Sequence, residues 1–508
     1  MRTSPLPAAQ EAAGTEVTPD VTDVAIIGGG PAGAAAARLL SSWGRRVVVL
    51  TRGPNPRPLA ESLPPSCAKL FDQLGVRELV DGAGFVRATG NTVQWAGKPR
   101  AVETFDSGRL GYQVSRDAFD SLLLGASDRS GATIVRDVTV TSVDRSENAH
   151  WRIGYQGSVA DAALVARWVL DCSGRAGVVA RRAWRRTATS TRTIALVGVW
   201  DRAEWPLQEP SHTLVESYDG GWGWSVPVSS RRRYVTVMLD PGVTEIPARA
   251  GLADAYRAEL SRTSMLNETI DGATLAAEPW GCDASAYSAD RFADDGILLV
   301  GDAGSFVDPL SSFGIKKALA SAWLAAVAVH TALADEAMAG AALELFERRE
   351  RAMFDHLQRQ SAALARDAAG AHVSTYWEAR GDIDDAVADG ELDVARLRED
   401  PRVVGAFNEL RNRAAMALRP SDSLSLVERA VVRGNRIRLE RHIMNPAFVS
   451  PVRYCRGIDL VLMTELTERH SQVPDLFDAY NRVAPPAPLP DFLGALSTLI
   501  GYGALTFA

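Results

Sequence analysis

Uninterrupted apolar runs alternate with glycine- and proline-rich punctuation through roughly the first 335 residues, and helical spacing takes over after them. Val24–Ile27, Val47–Leu50, Val169–Leu170 and Ile297–Val300 are apolar at consecutive positions, the pattern of strands buried on both faces of a parallel sheet. Small residues from Ala34 to Ser42 predict a helix between the first two strands, and Ile315 to about Ala334 predicts a long apolar helix. Thr193–Trp200 and Tyr234–Leu239 predict strands of a second sheet. Beyond residue 336, apolar positions recur at helical spacing over Gly340–Ala369, over Ile383–Leu418 with breaks, and over Ser421–Arg441. The Arg and Asp between them read as solvated faces. The chain therefore divides into a discontinuous nucleotide-binding domain (22–190 and 275–335, with an insert at about 66–109), a substrate-side sheet domain (191–274) and a C-terminal helical domain (336–508).

With 508 residues and 46% hydrophobic content, the chain can bury the cores of two or three domains. Its net charge of −7 offers no basic footprint for nucleic acid. Cys67, Cys172, Cys282 and Cys455 are far apart and the seven histidines lack ligand spacing, so no metal is expected and reduced thiols point to the cytoplasm. Residues 1–21 are polar, lack the apolar core of a signal peptide and are expected to be disordered. No run reaches membrane-span length. The apolar tail from Phe492 to Ala508 holds Gly494, Gly501 and Gly503, and is expected to dock on the protein itself rather than on lipid.

Chemistry enters at Gly28-Gly29-Gly30-Pro31-Ala32-Gly33, the turn between the first strand and its helix. Gly28 permits a tight turn, Gly30 lets the backbone approach a pyrophosphate, and Gly33 lets helix and strand pack closely. The helix start, opening on Pro31-Ala32, offers the free N–H groups that follow the proline and a partial positive charge to the phosphates. The acidic residue that usually holds the adenosine ribose is missing, because the second strand ends Leu50-Thr51-Arg52. Thr51 can bond a ribose hydroxyl, and Arg52 can stack on adenine or meet a phosphate. This motif alone does not choose between FAD and NAD(P).

The run from Leu298 through Gly301-Asp302-Ala303 and Asp308-Pro309-Leu310 to Gly314-Ile315 resembles the second FAD motif of flavoprotein monooxygenases and flavin-dependent halogenases. The resemblance implies that FAD is the cofactor and that Pro309 belongs to its binding run. It also implies that Asp302 bonds the ribityl chain and that Gly314 and Ile315 bring backbone N–H groups to the flavin pyrimidine edge. Asp171-Cys172-Ser173-Gly174-Arg175 resembles the family's return to the cofactor domain. Val114–Asp120 resembles the segment whose arginine reaches the flavin, so Arg116 either does so or is a surface residue at a helix start. The resemblance covers about residues 20 to 335. It implies an α/β fold: a Rossmann-like FAD-binding domain with an interleaved β-sheet substrate domain, followed by the C-terminal helical region.

Gly221-Trp222-Gly223-Trp224-Ser225-Val226-Pro227 is similar to the Trp-x-Trp-x-Ile-Pro signature of flavin-dependent halogenases, with Val226 in place of Ile. Alternate strand residues share a face, so Trp222 and Trp224 form one indole wall, either beside the flavin or in the core. Two sites depart from the halogenase pattern. Ala88, in Phe85-Val86-Arg87-Ala88-Thr89-Gly90, stands where phenol-type members carry their lysine, and Ser311 and Phe313 replace the Glu and Thr of the tryptophan-type Pro-Leu-Glu-Ser-Thr-Gly. Without an ammonium no oxidant is polarised, and a phenyl ring is a poor partner for chloride. Lys98 lies nearby with the wrong spacing. Leu59–Pro65 and Gly90-Asn91-Thr92-Val93-Gln94-Trp95 resemble instead the lysine-lacking flavoproteins that mature tryptophylquinone cofactors by oxygenating a peptidyl tryptophan. Glu61 either caps the following helix or sits beside the flavin.

The resemblance implies an FAD-dependent monooxygenase that hydroxylates an aromatic substrate, an indole or a peptidyl tryptophan, through a flavin C4a-hydroperoxide. It would use O2, with electrons from NAD(P)H or a separate flavin reductase. Trp222, Trp224, Ser311 and Phe313 are then candidate catalytic residues around the reacting ring. Glu216 would be a base if an uninterrupted strand gives it the same parity as the two tryptophans; otherwise it is a surface strand residue. Lys316 and Lys317 sit in a helix first turn that disfavours cations, and either answer an anion or are solvated. Two alternatives stay open: a halogenase with a relocated lysine, and an FAD-dependent reductase or dehydrogenase acting on an isoprenoid-like chain.

Overall fold

The computed structural model describes residues 21–146, 149–157, 161–186, 191–244, 251–311, 313–381, 397, 399–412 and 417–507. The N-terminal stretch expected to be disordered, and most of 383–396, lie outside the described residues. The apolar runs form a parallel sheet in the order Ile297–Leu299, Asp161–Asp171, Thr22–Ile27, Val47–Leu50 and Thr133–Val135. Its central strands are flanked on both faces and expose almost nothing: Val24, Ala25, Ile26, Val49, Val169 and Leu170 are all at 0%. Helix Pro31–Ser42 packs there through a close backbone approach. A methyl group at Gly33 would stand 1.8 Å from the Gly28 carbonyl oxygen, and Gly28 itself takes φ +108 beneath the Cys172 carbonyl.

The second sheet runs Thr274–Leu275, Ile194–Asp201, Arg232–Leu239, Gly221–Pro227, Thr213–Tyr218, Gly90–Gln94 and Ala101–Thr104. The last two strands come from the insert at 66–109, and Gly90–Gln94 pairs in parallel with Thr213–Tyr218. The remainder of the insert adds Val86–Ala88 to a small sheet with Ala60–Leu63 and Gly111–Ser115. Helix Gly314–Ala332 carries fourteen buried residues against the first sheet, and Ala339–Ala369 follows as one 31-residue helix.

The C-terminal region is less helical than its periodicity predicts. Ser421–Arg441, expected as a helix, forms instead the hairpin Ser425–Arg433 and Arg436–Met444, joined through Gly434-Asn435 with Gly434 at φ +61. The β-branched Val427, Val431, Val432 and Ile437 suit strands, and a two-residue Gly-Asn turn matches hairpin twist. Ile437 is buried beside helix Gly314–Ala332, and its N–H donates to Thr331 Oγ1 at 2.9 Å. The apolar tail belongs to a core: Phe492, Ala495, Leu496 and Leu499 pack with Leu460, Met463 and Leu476, and Leu505–Phe507 pairs with Leu418–Pro420. No described helix is long and apolar enough to cross a membrane.

Two glycine variants separate packing from backbone strain. Gly44 sits at φ +79 with nothing near its missing Cβ, so Gly44→Ala should cost only the left-handed penalty of about 1–2 kcal/mol. Gly33→Ala drives a methyl into a carbonyl that belongs to the central strand turn, so thermal denaturation should show a much larger fall in Tm, or no folded protein. Equal shifts for the two variants would refute the close-approach account.

Candidate active site

The C-terminal ends of the parallel strands, at Ile27, Leu50 and Asp171, open onto a cleft of about 810 Å³. Two helices begin at its wall. Helix Pro31–Ser42 has Gly30 at its N-cap, no side-chain cap and no acid in its first turn, and helix Gly314–Ala332, with Phe313 at its N-cap, has neither as well. Uncapped first-turn N–H groups at both ends suit an anionic ligand. Gly28, Gly30, Pro31 and Ala32 line this wall and Gly33 lies behind it; Thr51 and Arg52 line it from the end of the second strand. Pro309, Gly314 and Ile315 line it from the other side.

Between these walls stand charged groups. Arg116 Nε and Nη2 donate to Asp120 at 3.0 Å each, and Nη1 lies 3.5 Å from Glu61. Burial works against the Arg116 charge, but Asp120, Glu61 and Asp302 more than offset it and hold the pKa above its ordinary value. Burial pushes the Glu61 carboxyl up against the pull of Arg116. Arg116 is thus a cleft residue rather than a surface one, and Glu61 lies on strand Ala60–Leu63 beside it rather than capping a helix. Asp302 Oδ1 is buried and accepts no hydrogen bond, although Lys317 Nζ stands 3.3 Å away. Lys317 also donates to the Gly301 carbonyl at 3.4 Å, to the Ser305 carbonyl and to Ser305 Oγ at 3.2 Å. It answers an anion, while the Lys316 ammonium lies 4.6 Å over the Phe313 ring. An orphaned carboxylate oxygen between two uncapped helix ends fits a ligand with a pyrophosphate and a hydroxylated chain.

The other end of the cleft is aromatic. Trp222 and Trp224 stack with ring centroids 4.8 Å apart at 27°, and both line the cleft with Val215, Leu310 and Phe313. Trp222 is also a core residue, 2% exposed among Met238, Trp95, Tyr376 and Trp377. Glu216 does not join them. The chain turns back at Asp219-Gly220, so Trp222 opposes Ser217, Trp224 opposes Val215, and Glu216 falls on the other face opposite Gly223. Its carboxylate accepts from the Ser264 N–H at 2.6 Å and the Leu266 N–H at 2.9 Å, capping helix Met265–Ile270 from outside. Ser311 lies in the Pro309–Ser311 turn; its side chain lies outside the described residues.

Three contributors escaped sequence reasoning. Asp308 lines the aromatic end of the cleft, Leu357 reaches it from the long C-terminal helix, and Tyr376 backs Trp222. Asp308 sits one residue before the Pro309 already singled out. The other two lie beyond the FAD motifs, where helical periodicity marks only burial.

Two uncapped helix ends and the Asp302 carboxylate between them fit a flavin dinucleotide's pyrophosphate and hydroxylated chain, and the fold and the cleft define an FAD-binding flavoprotein. The FAD binding domain family matches residues 21–360, and the chain belongs to it. The curated relatives it resembles include flavin-dependent halogenases. Over 344 residues it is 30% identical to the tryptophan 2-halogenase of Chondromyces crocatus, an alignment covering 65% of this chain and 65% of that protein. The chain thus spans just under two thirds of that relative's length. It shares its fold with the flavin-dependent halogenase CmlS (TM-score 0.75, 22% identity, 96% of each chain). It also shares it with QhpG, a peptidyl tryptophan dihydroxylase essential for tryptophylquinone cofactor biogenesis (TM-score 0.68, 22% identity, 95% of this chain and 99% of that one).

Asp302 and Glu216 should respond oppositely to truncation. Asp302→Ala removes an FAD partner and should lower FAD retained after gel filtration, a loss of about 1–3 kcal/mol in binding. Glu216→Ala leaves the buried Leu266 N–H and the half-buried Ser264 N–H unpaired and should cost about 1–3 kcal/mol of stability with FAD content per folded molecule unchanged. Loss of FAD in a stable Glu216→Ala protein would return that residue to the cleft.

Proposed function

We propose that the protein is an FAD-dependent monooxygenase that hydroxylates an electron-rich aromatic ring, an indole and in particular a peptidyl tryptophan. The observation that carries this reading is an indole-walled cleft end whose lining, among the described residues, holds no lysine but the ion-paired Lys317, the Lys316 ammonium lying over the Phe313 ring. Ala88, at the position of the halogenase lysine, is 1% exposed on a short strand. Lys98 is a surface residue paired with Asp367 at 2.8 Å. Lys317, which does line the cleft, is committed to Asp302 and to two carbonyls. The activity of QhpG, a peptidyl tryptophan dihydroxylase, suits the same arrangement.

When bound, reduced FAD supplies the electrons and the activation of O2 that place one oxygen atom on the ring and release the other as water. The protein's share is placement and exclusion. The two helix ends and Asp302 hold the dinucleotide, Arg116 adds a cation beside it, and the stacked tryptophans with Phe313 keep water from the reacting ring. Electrons come from NAD(P)H or from a separate flavin reductase. The reaction runs in the cytoplasm, where the four unpaired cysteines stay reduced.

Turnover of N-acetyltryptophanamide or a tryptophan peptide with reduced flavin, O2 and bromide should give a mass gain of oxygen only. A brominated product would overturn the monooxygenase reading in favour of a halogenase. The tryptophan wall has its own test. Trp224→Phe should keep its FAD and its Tm but release more hydrogen peroxide per reduced flavin consumed, because a leakier pocket admits water before the substrate reacts. Wild-type peroxide yield in that variant would reduce the wall to a core element.

A further inference from the structure

The aromatic end of the cleft holds polar atoms that flavin binding leaves unused. Asp308 Oδ1 accepts from the Leu310 N–H at 3.1 Å, and that is the one hydrogen bond of normal length its carboxylate makes among the described residues. The half-buried carboxyl opens onto the cleft. Behind it, Trp222 and Tyr376 are 2% and 1% exposed, and neither the Trp222 Nε1–H nor the Tyr376 hydroxyl makes a hydrogen bond. The Trp222 N–H is close enough to favour the ionised form of both Asp308 and Tyr376, without a full bond to either.

The nearest cation is already spent. The Arg380 guanidinium lies 3.8 Å over the Tyr376 ring and donates to the Tyr376 carbonyl at 2.9 Å, the Arg192 carbonyl at 2.8 Å and Thr193 Oγ1 at 2.7 Å. So a carboxyl with spare lone pairs faces a slot walled by stacked indoles, and behind it stand two buried donors that make no full bond to it. Buried polar groups left unmet are costly, and the cost is recovered when a ligand donates to them. Flat apolar walls call for an aromatic ring. A carboxyl acceptor at the wall calls for a donor on that ring, and an indole carries one N–H. Burial raises the Asp308 pKa, but the neutral acid keeps a carbonyl oxygen that accepts equally.

We propose that Asp308 is the acceptor for the substrate's ring N–H, placed by the Leu310 N–H in its own turn, and that it makes the cleft selective for an N–H indole over an N-alkylated one. The inference rests on reading this end of the cleft as the seat of an aromatic substrate, and it narrows that substrate to a class.

The test is binding to the oxidised holoprotein, followed by the absorbance of the bound flavin. N-acetyltryptophanamide should bind roughly tenfold or more tighter than its 1-methylindole counterpart. Asp308→Leu and Asp308→Ala should abolish that preference while keeping FAD, whereas Asp308→Asn, which retains an acceptor oxygen, should keep part of it. Equal affinity of the wild-type protein for both probes, or binding of neither, overturns the proposal whether or not the variants fold. An undiminished preference in Asp308→Leu or Asp308→Ala overturns it too. So does loss of FAD from both variants at unchanged Tm, which would put Asp308 on the flavin. The two readings fail separately. Oxygen insertion without an N–H preference defeats only this inference; bromination of a bound N–H indole defeats the monooxygenase reading and leaves the acceptor standing.

Discussion

Two helix N-termini point at one cleft with nothing of their own to cap them, and the rest of the site is arranged around that deficit. Each helix leaves several first-turn N–H groups without an intrahelical partner. Surface helices usually satisfy them with a Ser, Thr, Asp or Asn side chain. Here the N-cap residues are Gly30 and Phe313, which cannot accept. The parallel sheet fixes where these ends lie, because each strand must deliver its chain to the same edge before a helix returns. Gly33 against Gly28 then sets how close the first helix comes. A dinucleotide bound there would complete the hydrogen bonding of the fold and couple binding to stability through the same backbone groups.

The parts of this arrangement that are local in sequence were legible, because a glycine turn and the strand before it speak through neighbours. Arg116 and Asp302 were legible as types, though not Glu61 and Lys317 as their partners, since those pairings depend on how distant segments meet. The failure at Glu216 is instructive because it is local. Parity arguments hold along one strand, but an antiparallel turn re-sets them: the residue facing Trp224 is Val215, so every even position before the turn shares a face with odd positions after it. Asp219-Gly220 was the available warning, since an Asp-Gly pair between apolar stretches is a hairpin signal. The Gly434-Asn435 pair carried the same message in the C-terminal region, where a helical spacing of Val and Arg masked a hairpin.

What the sequence could not show was how the region beyond the FAD motifs closes the aromatic end. The 31-residue helix runs past the cleft and places Leu357 on its wall. The short helix after it, Thr375–Gly381, puts Tyr376 behind Trp222 and sends the Trp377 Nε1–H to the Tyr218 carbonyl at 2.9 Å. Trp377 in turn meets the edge of Trp95 with centroids 5.4 Å apart. The tryptophan wall is therefore stiffened by three separate stretches of chain, and its two readings, core and cleft, are one: a wall holds its shape because its back is packed.

Lys317 shows how the charges are shared. A cation in a helix first turn opposes the dipole, and a buried one without partners would be costlier still. Its ammonium meets Asp302, the Gly301 carbonyl and both oxygens of Ser305. Behind it lies Glu350, whose carboxyl burial pushes up to about 7 against the pull of Lys317 and of the Ser321 hydroxyl. Ser321 Oγ in turn accepts from the Gly301 N–H at 2.9 Å, tying the turn that carries Asp302 to the helix beneath it. Removing the ammonium would take the ion-pair partner from Asp302 and the nearby cation from the buried Glu350, a change felt first in the placement of Asp302. The lysine is therefore part of the frame that positions Asp302 in the cleft, because its ammonium is committed to that carboxylate and to the Gly301 and Ser305 oxygens.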